Sequence, residues 1–139
     1  MSEAWRPYAD KQLIKLRAET YSKIRQFMSE RKILEVETPV LSHATVTDIQ
    51  LDSFRSEYSS PLTSTGKILY LQTSPEYAMK RLLASGTGAI FQISKVFRNE
   101  EQGKLHNPEF TMLEWYQPDY DHHQLMQEIE MFLIHLQNR

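Results

Sequence analysis

The feature that most constrains the fold is a two-residue alternation of side-chain character on both sides of a short connection, between residues 89 and 116. Successive side chains of a β-strand point to opposite faces, so this alternation is typical of strands rather than helices. It predicts strands over 89–99 and 109–116, joined by residues 100–108. Strands with two faces of different character are typical of an antiparallel sheet, which can be solvated on one side. The chain is therefore predicted to contain an antiparallel sheet.

Residue parity gives the two faces of this strand pair different chemistry. The odd-numbered face is predicted to be core and carries Phe91, Ile93, Phe97, Thr111, Leu113 and Trp115. The even-numbered face is more polar and carries Gln92, Ser94, Val96, Arg98, Phe110, Met112, Glu114 and Tyr116. Glu100 is expected on this second surface as well. One arginine, two carboxylates and two aromatic rings thus share one side of the predicted sheet.

This polar and aromatic face has two interpretations. It is either the solvated face of an antiparallel sheet, or the floor of a site for a planar anionic ligand. In the second case Arg98 pairs with a phosphate and Phe110 stacks on a base. The connection over 100–108 favours the second interpretation, because its polar and charged residues stand beside Gly103 and Pro108 and can fold over a charged ligand.

Three segments have helical periodicity and recognisable start signals. The first covers 10–31 and begins at the capping residue Asp10. The second begins at Ser74 and Pro75, a capping hydroxyl followed by a proline suited to the first helical position, and ends near Ala84. The third runs to about 137 and begins at a capping box formed by Asp121 and Gln124, with an apolar side made of Leu125, Ile129, Phe132, Leu133 and Leu136.

Shorter apolar or β-branched runs predict further strands. These are expected over 34–41, around 54–58 and over 67–72. Pro39 has no N–H for a strand ladder, so it is expected at a sheet edge or at an interface.

Composition narrows the class of protein. A length of 139 residues is typical of one domain, and there are no cysteines for disulfides or thiolate chemistry. The beginning of the chain lacks the apolar stretch of a signal peptide and no run spans a membrane, so a cytoplasmic protein is expected. From Glu100 to Arg139 only Lys104 and Arg139 are basic, against eight acidic residues. Such a charge balance disfavours a long polyanion as partner.

Three motifs together resemble the class II aminoacyl-tRNA synthetases, in particular their lysine branch. Residues 34–41 (LEVETPVL), after the first helix, resemble motif 1, and residues 73–83 (TSPEYAMKRLL) resemble the segment that binds lysine. Residues 97–100 (FRNE) with 106–111 (HNPEFT) resemble motif 2. The three occur in the family's order and cover almost the whole chain.

Within this branch the chain is most similar to the stand-alone paralogs that modify elongation factor P. Residues 44–48 (ATVTD) and 113–116 (LEWY) resemble those paralogs, and the chain begins close to motif 1, without room for an anticodon-binding OB domain. The resemblance implies activation of lysine or (R)-β-lysine by ATP and transfer to a lysine side chain of elongation factor P. Alternatives are a lysyl-tRNA synthetase core and a non-catalytic dimerisation or regulatory module.

The family's fold and partners are likewise implied by the resemblance. They are an α+β fold with an antiparallel sheet flanked by helices, and a homodimer formed through the 10–31 helix and the segment of Pro39. tRNA and membranes are not expected as partners. Motif 3 is not found, so residues 1–139 are expected to be the N-terminal part of a catalytic domain truncated before motif 3 and inactive alone. The ligands of Mg²⁺ are expected beyond Arg139.

Site residues follow from the same resemblance. Those assigned to ATP are Arg98, Asn99, Glu100, His106, Asn107 and Phe110, with Arg98 also the catalytic residue at the α-phosphate. Those assigned to the amino acid are Ser74, Pro75, Glu76 and Tyr116. Glu76 has an alternative role as an acid complementing the helix dipole, and His106 an alternative as an ordinary loop histidine.

Overall fold

The computed structural model describes residues 6–59, 61, 66–99 and 103–137. It contains the helices and strands α1 Lys11–Glu30, β1 Leu34–Glu35, β2 Leu41–Ser42, β3 Arg55–Tyr58, β4 Lys67–Leu71, α2 Glu76–Ala84, β5 Ile90–Phe97, β6 Glu109–Tyr116 and α3 His122–Gln137. They form two compact units, one of Met1–Ile33 with Asp119–Arg139 and one of Leu34–Pro118. The α+β class predicted from the sequence is confirmed.

The first unit pairs the helices α1 and α3. Their predicted starts are confirmed: Asp10 accepts a hydrogen bond from the Leu13 N–H at 2.7 Å, and Asp121 and Gln124 exchange two bonds of 2.9 Å. Such caps satisfy N–H groups that have no partner within the helix. Between the helices, the rings of Phe27 and Phe132 meet edge to face with centroids 5.1 Å apart.

The buried side of α3 differs from the prediction. Ile129 and Leu133, predicted to lie on the apolar side, are 41% and 51% exposed, whereas Glu128 is only 2% exposed. The reason lies in the helical spacing, because residues 128, 132 and 135 form one i, i+4, i+7 stripe, and Phe132 and His135 on that stripe both contact Phe27 of α1. The neighbouring stripe, which holds 129 and 133, faces away from α1.

The second unit contains two three-stranded sheets. In one, β5 lies between β1, to which it is parallel, and β6, to which it is antiparallel. In the other, β4 lies between β2 and β3 and is antiparallel to both. The antiparallel pairing of β5 and β6 confirms the antiparallel sheet expected from the sequence.

The prediction of a single strand over 34–41 is wrong. The segment divides into β1, which joins the first sheet, and β2, which joins the second. Pro39 lies in the extended connection between the two strands, where its missing N–H interrupts no ladder. Pairing with two different partner strands is a long-range effect, and the local sequence does not contain it.

The predicted contrast between the faces of β5 is also wrong in part. On the even-numbered face Gln92 and Val96 are buried, at 2% and 0% exposure. Thr38 donates a hydrogen bond of 3.0 Å to the Gln92 side-chain carbonyl, and the chain just before α2 also contacts this face. The sheet is thus covered on both faces along part of β5, so the interpretation as an open, solvated face does not hold there.

Candidate active site

The β5–β6 register brings together an arginine and an aromatic ring. Val96 pairs with Phe110, and the guanidinium carbon of Arg98 lies 5.2 Å from the centroid of the Phe110 ring. The Arg98 Nε also donates to the Thr73 carbonyl at 3.4 Å. A guanidinium held against a ring, with N–H groups that pair well with phosphate, suits a nucleotide. The structure therefore places together the two residues predicted to bind phosphate and base.

A second cluster centres on the carboxylate of Glu114, farther along β6. The Ser74 hydroxyl donates to its Oε2 at 2.7 Å, and the Tyr116 hydroxyl donates to its Oε1. Burial, followed by the bond to Glu114, raises the pKa of Tyr116 well above its usual value of 10. The phenol therefore stays protonated, and remains a donor, throughout the neutral pH range.

Glu114 was not among the residues assigned to the site from the sequence. The parity of β6 already placed it on the face of Phe110 and Tyr116, and that was the available signal. Its position opposite the buried Gln92 and its contact with Ser74, forty residues earlier, can be recognised only in the folded structure. The assigned residues Ser74 and Tyr116 thus meet through a residue that the motif comparison passed over.

The start of α2 positions Ser74 and Glu76. The Ser74 hydroxyl accepts from the Glu76 N–H at 3.0 Å, and the carbonyl of the buried Pro75 accepts from the Met79 N–H at 2.9 Å. The helix begins at Glu76, one residue later than predicted, so the N-cap position falls on Pro75, which makes no side-chain cap bond. The prediction of Ser74 as the N-cap is therefore wrong, although its hydroxyl accepts from the first N–H of the helix. The hydroxyl serves helix and cluster together, because it accepts from the helix and donates to Glu114.

The carboxylate of Glu76 pairs with a lysine one turn later on α2. Its Oε1 lies 2.5 Å from Lys80 Nζ, in an i, i+4 ion pair whose side chains are 42% and 55% exposed. The hydrogen bond and charge of Glu76 raise the pKa of Lys80. This arrangement also fits the alternative role of Glu76 as an acid in the first helical turn. Substrate binding by Glu76 and Pro75 stays a prediction.

Three of the other residues assigned to ATP are described: Asn99, which follows β5, and His106 and Asn107, which precede β6. Asn99 is bonded to Asp52, with 2.8 Å between its Nδ2 and the Asp52 Oδ2. His106 and Asn107 are exposed, in and just after a turn closed by two 3.2 Å backbone bonds between Gly103 and His106. Glu100 lies outside the described residues. The structure thus groups Arg98 with Phe110, and leaves the roles of the other four as predictions.

The described part of the chain contains neither a cluster of metal ligands nor a helix suited to span a membrane. No group of three or more histidine, aspartate or glutamate side chains there is arranged to hold a metal ion. No helix within the same residues has the length and apolar character needed to cross a membrane.

The sequence over residues 4–139 matches the family of class II tRNA synthetases for D, K and N. The chain belongs to this family, which confirms the resemblance carried by its three motifs. Among curated proteins it is 56% identical over 133 residues to the elongation factor P–(R)-β-lysine ligase of Histophilus somni (strain 2336). It is 53% identical over 133 residues to that of Photobacterium profundum. It is 55% identical over 129 residues to that of Vibrio cholerae serotype O1.

These matches cover the chain and its relatives unequally. They include 93–96% of this chain but 40–41% of each relative. The chain therefore spans about two-fifths of the length of the curated relatives that it matches.

Proposed function

We propose that this chain carries part of the active site of an ATP-dependent ligase that acts on elongation factor P. In this proposal lysine or (R)-β-lysine is activated as an adenylate and then transferred to a lysine side chain of the factor. The observation that carries the proposal is the presence of two complementary clusters on one face of β6. One is Arg98 with Phe110, and the other is Glu114 with its two hydroxyl donors.

The Glu114 cluster suits an ammonium group. Both donors to the carboxylate are neutral hydroxyls, so its negative charge is not cancelled by them, and its oxygens keep further acceptor capacity. Lysine and β-lysine each carry two ammonium groups, and pairing one of them with a half-buried carboxylate gives strong charge-assisted bonds. We assign the amino-acid side-chain ammonium to Glu114, with Ser74 and Tyr116 orienting the carboxylate.

The Arg98 cluster suits the phosphoryl side of the reaction. Phe110 lies four residues from Glu114 along β6, or about 13 Å at the usual rise per residue, so an amino acid bound at Glu114 extends toward the nucleotide. Its carboxylate attacks the α-phosphorus, a carboxyl–phosphate bond forms, and pyrophosphate leaves. Arg98 stabilises the charge that develops on the α-phosphate oxygens. The acceptor lysine amine then attacks the activated carbonyl, loses a proton to water, and displaces AMP.

The remaining assignments complete the proposed ATP site. Asn99, Glu100, His106 and Asn107 would contact the nucleotide around the end of β5. Mg²⁺ would neutralise charge on the outer phosphates, with its ligands expected beyond Arg139.

The competing proposal of tRNA as acceptor is disfavoured by the excess of acidic residues over 100–139. A non-catalytic role is disfavoured by the intact contact between Arg98 and Phe110.

The acceptor is tested with a hybrid enzyme in which this chain replaces the matched 41% of the Histophilus somni (strain 2336) relative. The hybrid is incubated with ATP, radiolabelled lysine or (R)-β-lysine, and either elongation factor P or tRNA. We expect label on the protein and none above background on tRNA. The 139-residue chain is assayed beside it and is expected to be inactive, because much of the relative's length is missing from it. Efficient charging of tRNA without labelled protein would contradict the proposal.

We also propose that the enzyme is a homodimer. Near the start of α1, Leu13, Ile14 and Leu16 are each more than half exposed, an apolar surface of the kind that oligomer interfaces cover. Light scattering on the hybrid enzyme is expected to give twice the monomer mass at micromolar concentration. Replacing Leu13 and Leu16 by glutamate is expected to shift it to the monomer mass, whereas the same change at the exposed α2 residue Tyr77 is not. A fully active monomer before substitution would contradict the dimer.

A further inference from the structure

Three consecutive backbone N–H groups hold the chain where β5 ends. The Phe97 N–H donates to the Gln72 carbonyl, the Arg98 N–H to the Pro108 carbonyl and the Asn99 N–H to the Asp52 carbonyl, each at 2.9 Å. Successive N–H groups of an extended chain point to opposite edges. Arg98 is therefore fixed from one edge by the residue preceding β6, and its two neighbours are fixed from the other edge.

Asp52 is hydrogen-bonded to Asn99 at two points. Besides the backbone bond, its carboxylate accepts from the Asn99 side-chain amide, with 2.8 Å between Oδ2 and Nδ2. The two residues form an isolated antiparallel bridge outside the strands. The β5–β6 ladder ends at Phe97 and Glu109. On the edge of the chain that faces away from β6, the bridge between Asp52 and Asn99 continues the pairing past Arg98.

The chain around Asp52 is itself anchored. The hydroxyls of Thr45 and Ser53 are hydrogen-bonded, and Ser53 is buried. Two residues after Asp52, the Phe54 carbonyl accepts from the Leu71 N–H at 2.9 Å, which joins this segment to β4. Asp52 therefore ties Asn99, the residue after Arg98, to the second sheet.

We propose that Asp52 is a positioning residue for Arg98. This inference rests on the proposed function, in which Arg98 binds the α-phosphate of ATP. A long arginine side chain contacts a phosphate reproducibly only if its Cα–Cβ direction is fixed, and functional groups must be held to within about 0.5 Å. Asp52 fixes that direction by clamping Asn99, and it does so without contacting the nucleotide.

The test compares Asp52→Ala and Asp52→Asn in the hybrid enzyme by ATP–pyrophosphate exchange. Losing the side-chain bond is expected to raise the KM for ATP about ten-fold, with the KM for lysine changed less than two-fold. Asp52→Asn is expected to restore the KM for ATP, because the asparagine amide oxygen accepts the same bond from Asn99. The matched control is Asp48→Ala, in the same segment. The Asp48 carbonyl accepts from the Leu51 N–H at 3.2 Å, and its side chain has no hydrogen bond to any residue that the structure describes.

The outcomes separate this inference from the proposed function. If Asp52→Ala raises both KM values equally, or if Asp52→Asn fails to restore the KM for ATP, Asp52 acts only through stability and the inference is overturned. If Asp52→Ala matches Asp48→Ala while Arg98→Ala abolishes exchange, the inference alone fails. If Arg98→Ala leaves exchange intact, the role of Arg98 in the proposed function fails, and the positioning role fails with it.

Discussion

Arg98→Ala is expected to reduce lysine-dependent ATP–pyrophosphate exchange by the hybrid enzyme about a thousand-fold. Removing one preorganised donor from a developing oxyanion typically costs about 10²–10³ in rate, and Arg98 also contacts the ring proposed to stack on adenine. The loss should appear in kcat as well as in the KM for ATP, because the charge stabilised by Arg98 is largest in the transition state. The KM for lysine should change little.

The fold is expected to survive this substitution. Arg98 lies beyond the last residue of β5 and is not part of the buried core, so truncating its side chain opens no core cavity. The matched control is Arg55→Ala on β3, which removes another guanidinium that lies over an aromatic ring, 6.0 Å from the centroid of Tyr70. Both variants should unfold within a few degrees of the parent. Exchange near the parent rate in Arg98→Ala, or an equal loss in Arg55→Ala, would contradict the assignment of Arg98.

The accuracy of the sequence-based predictions depended on how local each interaction is. The helix starts at Asp10 and Asp121 were predictable because a capping side chain bonds to an N–H only three residues away. The strands β5 and β6 were predictable because alternation is a local property, and strands with two different faces are typical of an antiparallel sheet. Motif order identified the family for the same reason, since each motif is a continuous run of residues.

Long-range contacts explain what the sequence could not predict. The division of 34–41 between two sheets depends on strands whose paired residues lie 28 to 56 residues farther along the chain. Part of the even-numbered face of β5 is covered, because Thr38 bonds to Gln92 and Thr73, just before α2, bonds to Arg98. Alternation contains no information about such a cover. Glu128 lies outside the apolar side predicted for α3, but the stripe that faces α1 includes it.

Glu114 shows the same limit at the candidate site. A glutamate between Leu113 and Trp115 has nothing in its local sequence that distinguishes a ligand-binding carboxylate from a solvated one. Only the approach of Ser74 and the orientation of Tyr116 give it a defined geometry. The residue that the motif comparison omitted is therefore the one on which the proposed amino-acid site depends most, and its substitution provides the second large expected effect.

Glu114→Gln is expected to raise the KM for lysine or β-lysine about 10- to 100-fold in the hybrid enzyme. The glutamine keeps the size and one acceptor oxygen of the side chain but loses the charge, and a hydrogen bond to a charged group is worth about 1.5–3 kcal/mol. The KM for ATP should stay within about two-fold, because Glu114 is four residues from the Phe110 ring along β6. Burial, the largest cause of the raised pKa of Tyr116, persists in the variant, so the phenol should stay protonated and the KM should not follow a tyrosine titration up to pH 9.

The control for Glu114→Gln is the same substitution at Glu109, at the other end of β6. Glu109 is half exposed and pairs with Lys95, with 2.7 Å between Oε1 and Nζ, on the opposite face of the strand. Because an exposed ion pair contributes little, Glu109→Gln should leave both KM values and the unfolding temperature nearly unchanged. Isothermal titration of each variant with lysine separates weaker binding from slower chemistry. Unchanged lysine affinity in Glu114→Gln would show that the ammonium group binds elsewhere, and the Ser74–Glu114–Tyr116 cluster would then serve only to hold α2 against β6.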